Sequence, residues 1–328
     1  MLKRILCLGC VVLALATSPG AQAAAPAWPA RSITIILPLA AGSGPDVVAR
    51  MYAEKLSQRL GQPVIIDNRP GNAQVVATVA VKQAAPDGYT LGATTSATFV
   101  GRPAMFKSLP YDPVKDFVPI ARYLNSPFVL VIDPKLPVKT VPELIAYIRA
   151  NPGKITFASS SIGGPPHLAG EYMKKLFKLD MQHVPYKNSP QAFLDVAAGR
   201  VPLSFADVGT ALPLIKEGRL RALAVTSLMP LDSLPNVPTF AKASATAEFE
   251  VVSWHVLYAR NDVPRAIIDR LHSEMQAIME DPAMMKRIAA LGLTPEKIQP
   301  IEATRAYING DIKKWADVVT EIGLARTL

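Results

Sequence analysis

Apolar positions along this chain follow two alternating rhythms. Residues 33–39 form a short apolar run that reads as a buried strand. Val47, Val48, Met51, Leu56 and Leu60 then recur at helical spacing until Gly61 ends the pattern. Residues 64–66 read as a strand, 75–84 as a helix closed by the turn Pro86-Asp87-Gly88, and 89–94 as a third strand. The rhythm restarts with strands at 128–132, 155–158, 183–184, 201–205 and 222–226. Helices at 142–150, 166–177, 190–198 and 211–217 separate them. A long apolar segment follows at 249–258, and the chain ends in three helical stretches, 264–279, 283–291 and 302–322. Strands alternating with helices through short connections predict an α/β fold, with mostly parallel sheets flanked by helices.

Those last three helices have no strands between them and cannot easily form a domain alone. The economical arrangement has two lobes, each with a mostly parallel sheet. Lobe 1 comprises residues 24–124 and 252–328, and lobe 2 residues 125–251. Two chain crossings then make a hinge over an interlobe cleft, a preferred place for a ligand.

Composition narrows the function. The chain has 328 residues, 50% apolar and 19% charged, enough for two domains. Its start carries Lys3 and Arg4, an apolar run from Ile5 to about Thr17, the breakers Pro19 and Gly20, and the small-residue site Ala21-Gln22-Ala23. The run is shorter than the ~20 residues needed to span a bilayer. Residues 1–23 therefore read as a cleaved Sec signal peptide, and the product as periplasmic. The rival is a lipoprotein anchored at Cys10, against which Cys7 stands where leucine is expected. Loss of Lys3 and Arg4 takes the formal charge from +9 to +7. It also removes both cysteines, Cys7 and Cys10, and with them thiol and cysteine–zinc chemistry. The remaining basic residues are scattered, which argues against nucleic acid and suits a mild field for anions.

Two connections share one design. Ala40-Ala41-Gly42-Ser43-Gly44-Pro45-Asp46 follows the first strand, and Ser159-Ser160-Ser161-Ile162-Gly163-Gly164-Pro165-Pro166 follows the strand at 155–158. Glycines allow tight turns and close approach, and proline suits a helix start. A helix start offers free N–H groups and partial positive charge to a carboxylate or phosphate. Glycine and proline are also ordinary connection residues, so the pairing of two such loops carries the argument. Neither matches a P-loop or dinucleotide fingerprint. The histidines His167, His183, His255 and His272 lack metal-ligand spacing, and no metal or cofactor is expected. A hydrolase triad of the Ser159–Ser161 serines with His167 and Asp207 lacks a nucleophile elbow.

At these words the chain resembles a family. The segments are 38–50 (PLAAGSGPDVVAR), 68–71 (NRPG), 85–91 (APDGYTL), 109–117 (LPYDPVKDF), 151–154 (NPGK), 183–187 (HVPYK), 222–227 (ALAVTS) and 237–239 (VPT). In their order and spacing they resemble the periplasmic solute-binding receptors of the tripartite tricarboxylate transporter family, the Bug or TctC group. The resemblance implies a two-lobed type II periplasmic-binding-protein fold. It also implies a monomeric, non-enzymatic receptor that closes on a small carboxylate and delivers it to a membrane permease. A receptor signalling to a sensor kinase and a secreted hydrolase are the alternatives. The implied ligand-binding residues are Ala41, Gly42, Ser43, Gly44 and Pro45; Thr95, Ser96 and Thr98; Ser159, Ser160, Ser161, Gly163, Gly164 and His167; and Asp207. Asp46 is expected to cap its helix rather than touch an anion. Phe99, Ile162 and Ala206 stand where the family often has His, Asn and Asp, which predicts a more apolar pocket and a carboxylate with an apolar or aromatic body.

Overall fold

The computed structural model describes residues 28–71, 74–159, 162–246 and 249–328. Residues 1–23, read as a signal peptide, lie outside the described residues, as do Ser160 and Ser161. Among the described residues no helix is long and apolar enough to cross a membrane.

The first sheet begins as expected. The strands β1 (Ile33–Leu37), β2 (Val64–Asn68) and β3 (Thr90–Thr95) pair in parallel with β1 central. Helix α1 (Gly44–Leu60) connects β1 to β2 and ends at Gly61, whose φ of 69° is a left-handed cap that glycine adopts without strain. Helix α2 (Val75–Gln83) leads to β3. A π-helical turn (Ala97–Gly101) and the short α3 (Arg102–Met105) follow β3.

The long strand β4 (Phe117–Ile132) then joins both sheets, and only its last five residues, 128–132, stand out as a strand in the sequence. Residues 117–127 contain Pro119, Arg122, Asn125 and Pro127, which break the apolar run. A register shift at Pro119/Ala121 shows how Pro119 fits, since the pairing is irregular there; a second shift follows at Arg122/Leu124, whereas Pro127 stays in register opposite Val252. The second lobe continues with α4 (Val141–Ala150), β5 (Ile155–Ser159), α5 (Pro165–Phe177), β6 (Met181–Pro185) and α6 (Ser189–Ala197). It is completed by β7 (Leu203–Asp207), α7 (Val208–Lys216), β8 (Arg221–Val225) and the unforeseen short α8 (Phe240–Ser244). There β5 pairs in parallel with β6 and β7, while β4 lies antiparallel to β7 and β8.

The chain returns through β9 (Val252–Arg260), which runs antiparallel between β3 and β4. The crossings are thus paired strands, with Asn125 opposite Trp254 and Ser126 opposite Ser253. Helices α9 (Arg265–Met279) and α10 (Pro282–Ala290) share a buried core with β1 and α1, through Ile268, Leu271, Met275 and Ile288 against Ile33, Leu37, Val48 and Leu56. The two-residue β10 (Thr294–Pro295) pairs with β4. Helix α11 (Ile301–Glu321) places Ile308, Trp315 and Val319 in a core that also holds Phe99, Trp254, Phe157 and Phe205. That core contains side chains from both sheets. The fold is therefore two-lobed α/β, with parallel strand groups joined by antiparallel β4 and β9.

Candidate functional site

The connection between β1 and α1 is built around one buried carboxylate. Gly42 has φ of 81°, where a side chain would be strained, and Ser43 is the N-cap residue of α1. Ser43 does not cap with its side chain; its Oγ donates to the Ala40 carbonyl at 2.8 Å. Asp46, 1% exposed, reaches back instead and accepts the Gly42 N–H at 2.8 Å. It also accepts from Asn68 Nδ2 at 2.8 Å and Arg50 Nε at 3.1 Å. Burial alone would raise its pKa, but the hydrogen bonds from Asn68, Gly42 and Arg50 outweigh that and hold it below the ordinary value. Asp46 thus braces the loop by holding Gly42, where the sequence predicted a helix cap. One consequence corrects the anion-hook expectation: the Gly42 N–H is already engaged. The N–H groups of Gly44 and Asp46 remain, since residues in a first helical turn have no intrahelical acceptor. Ala41 is exposed, and Gly44 and Pro45 are half-buried.

The connection between β5 and α5 differs from its counterpart. Gly163, φ 72°, makes the turn, and Gly164 is the N-cap residue before Pro165 and Pro166. Two prolines remove two donors from the helix start, so α5 is a poorer anion hook than its loop sequence suggests. His167 Nδ1 accepts the Gly163 N–H at 3.1 Å, which makes His167 the Nε2–H tautomer when neutral. Its ring stacks on His183 with centroids 3.9 Å apart, and Phe157 lies beside both. Ser159 Oγ meets His183 Nε2 at 2.7 Å. Burial first, and the Lys174 charge after it, lowers the His167 pKa to about 4. Burial, then His167 and Lys174, lowers His183 to about 3. Both rings are neutral supports at pH 7. His183 escapes a residue-by-residue reading, and only its place within a strand, in HVPYK, hints at it. Among the described residues the imagined hydrolase triad is not assembled: His167 serves Gly163, and Asp207 caps α7 by accepting the Thr210 N–H at 3.0 Å.

These imidazoles carry a pH prediction. A histidine with a native pKa below its unfolded value of about 6.5 leaves the unfolded chain binding more protons in between. Stability is therefore expected to fall as pH drops from about 6.5 toward 4. Calorimetric melting at pH 7.5, 6 and 4.5 should show the fall, and His183→Gln should reduce it, leaving the shares of His167 and of His255, whose pKa burial also lowers to about 3. A flat wild-type profile over this window would contradict the assignment.

The third segment is mostly turned inward. The Thr98 hydroxyl meets Thr94 Oγ1 at 2.6 Å and Gln74 Oε1 at 2.8 Å, and the Thr98 carbonyl accepts from Tyr111. Thr98 is fully buried, which corrects its expected role as a ligand-facing hydroxyl. Thr95 is buried opposite His255 in the β3–β9 ladder. Phe99 packs against Trp254, Tyr258 and Phe117, and Ala206 is fully buried in a second-lobe core. Neither makes a pocket apolar; strand and helix phase turn both into protein. Ile162 is 44% exposed.

Ser96 does meet the second loop. Ser96, Ala97, Val100 and Gly101 face Gly163, Pro165 and Leu168 across a narrow cavity, with Val252 and Trp315 completing its wall. Its free space is about 10 Å³, room for about one water molecule. Residues 41–45 do not line it. They adjoin a second interlobe contact: Gly44 faces Leu293, and Gly292 faces Val208 and Gly209 beside Asp207. Next to Gly101, Arg102 is 2% exposed, with no partner for Nε and Nη1 among the described residues. Burial lowers its pKa to about 10, so it stays charged at neutral pH. No group of three or more potential metal ligands occurs among the described residues.

Comparison with known proteins agrees with this architecture. The family described as tripartite tricarboxylate transporter family receptor matches residues 48–324. Protein BugT of Bordetella pertussis is 34% identical over 304 residues, covering 92% of this chain and 93% of that protein. The structure of R. palustris Rpa4515 with adipate is similar with a TM-score of 0.84 at 30% identity, covering 91% of this chain and 99% of that one. MatC from Rhodopseudomonas palustris with bound malate is similar with a TM-score of 0.79 at 27% identity, covering 89% and 100%. The fold, the matched span and these relatives agree: the chain belongs to the tripartite tricarboxylate transporter receptors, the Bug or TctC family of periplasmic solute-binding proteins.

Proposed function

We propose that this receptor captures a small, apolar-bodied carboxylate by lobe closure and delivers it, as a monomer, to a tripartite tricarboxylate transporter permease. It reaches the periplasm with residues 1–23 removed as a Sec signal. The carrying observation is the meeting of Ser96–Gly101, after β3, with Gly163–Leu168, after β5, across one cavity. The cavity as it stands is too small for a carboxylic acid, so entry requires the sides to separate. Binding then favours the closed state only as far as the ligand prefers it. Outside the cavity lining itself, the remaining N–H groups at the start of α1 and the buried Arg102 charge, next in the chain to Gly101, supply a positive field that favours an anion, because a charge in a low-dielectric setting is weakly screened. Ala97, Val100, Leu168, Val252 and Trp315 supply the apolar body contacts that the sequence had placed at Phe99 and Ala206.

Calorimetric titration with adipate, benzoate, malate, citrate and glutamate tests this. Adipate or benzoate should bind at least about tenfold tighter than citrate or glutamate, a difference of about 1.4 kcal/mol. Tight citrate or glutamate binding with no response to adipate or benzoate would overturn the ligand class.

A further inference from the structure

Glycine is required where φ is positive or where a neighbour leaves no room for a Cβ. Gly101 and Gly209 belong to the second kind alone. Gly101 has φ −63° and ψ −45°, which any L-residue adopts. Gly209 lies in the first turn of α7 and is not among the positive-φ glycines. By helix propensity alone, alanine would be favoured at both. Yet a Cβ on Gly101 would stand 2.5 Å from the Gly163 carbonyl oxygen, and one on Gly209 2.8 Å from that of Leu291. Both obstacles are backbone atoms, so no rotamer change relieves them. Both contacts also cross between sheets. Gly101 follows β3 of the first sheet and meets the loop after β5 of the second. Gly209 follows β7 of the second and meets the turn before β10 of the first.

We infer that Gly101 and Gly209 are closure glycines, whose missing Cβ lets the lobes meet backbone to backbone, and that they set ligand affinity by setting the stability of the closed state. This rests on the proposed capture of a carboxylate by closure. A Cβ at either place leaves the open form untouched and pushes the closed form apart. Ligand affinity then falls with the fraction of closed, binding-competent protein. Gly310, inside α11, is the natural control: it too has no positive φ, and an added Cβ there meets nothing within 4 Å.

The test compares the full chain with its Gly101→Ala, Gly209→Ala and Gly310→Ala variants, using adipate as the probe. Ligand-free Gly101→Ala and Gly209→Ala should melt at or above the wild-type temperature, because the free protein can open. Their adipate affinity should fall about tenfold or more. Gly310→Ala should melt higher with unchanged affinity. A lowered melting temperature in ligand-free Gly101→Ala and Gly209→Ala would mean that the contacts are permanent parts of the fold, and would overturn the inference. Adipate binding as tight as wild type in both variants would also overturn it. Should the wild type bind no adipate, the ligand reading fails by itself, and the melting comparison still decides whether the contacts open.

Discussion

Trp254→Ala is expected to remove about 3–5 kcal/mol of folding stability, the usual cost of deleting a fully buried large aromatic. Trp254 is completely buried on β9, opposite Asn125 of β4, where the chain passes between sheets. Its ring lies 6.1 Å from Phe99 and 6.4 Å from Tyr307, and its Nε1 donates to Asp311 Oδ2 at 2.7 Å. Alanine would leave a cavity and also remove the indole donor from the Asp311 carboxylate, leaving it with Trp315 and the Lys314 and Arg122 charges. Burial already raises the Asp311 pKa, and the indole hydrogen bond is the leading effect opposing that. Trp254→Phe keeps most of the ring but loses the donor, so its cost should be smaller, about 1–3 kcal/mol. Because Phe99 belongs to the turn that leads into Gly101, the alanine variant should also bind ligand more weakly. Urea unfolding of both variants checks the order; a loss below about 1 kcal/mol for alanine would show that α11 and β9 repack without the indole.

Asp46→Ala should cost about 2–4 kcal/mol and abolish carboxylate binding. Three donors converge on this carboxylate, and hydrogen bonds to a charged group contribute about 1.5–3 kcal/mol each before non-additivity. Arg50 is half exposed, so its share is the smallest of the three. Without the carboxylate, Gly42 and Asn68 Nδ2 lose an acceptor, and the loop loses the tie that sets its turn. Asp46→Asn should fall between, because an amide must turn its NH₂ toward one of the donors. The acid dependence follows from the depressed pKa. The contribution is complete above the unfolded carboxyl value and disappears as pH falls through the lower native one. Denaturation at pH 7 and adipate titration together check this; an Asp46→Ala protein that still binds adipate at wild-type strength would remove the loop from the site.

Much of the architecture is legible because it is local. The run at 33–39, the spacing from Val47 to Leu60 and the stop at Gly61 each specify an element through nearby residues, and the structure has β1, α1 and a left-handed cap there. The loop glycines Gly42 and Gly163 are legible for the same reason, since positive φ is a demand of the turn itself. Residues 117–127 of β4 are not legible: their prolines and polar residues are accommodated by pairing with β9, more than a hundred residues away, with register shifts beside Pro119 and Arg122.

The candidate site divides along the same line. Family words in the sequence identify the two connections and the third segment, but not which atoms are free. Asp46 engages the Gly42 N–H, Pro165 and Pro166 withhold donors, and Thr98 is tied to Gln74 and Thr94. Phe99 and Ala206 read as pocket residues in one dimension and are core in three, because side-chain direction depends on what packs against each face. By itself the sequence determined the alternation of strands and helices, the two turning loops and the family. Tertiary structure alone decided that Ser159 meets His183, that Phe99 joins Trp254, and that Gly101 and Gly209 have no room for a Cβ. Dihedral preference and apolar period act over a few residues, whereas hydrogen-bond partners and backbone contacts come from segments that only the closed chain brings together.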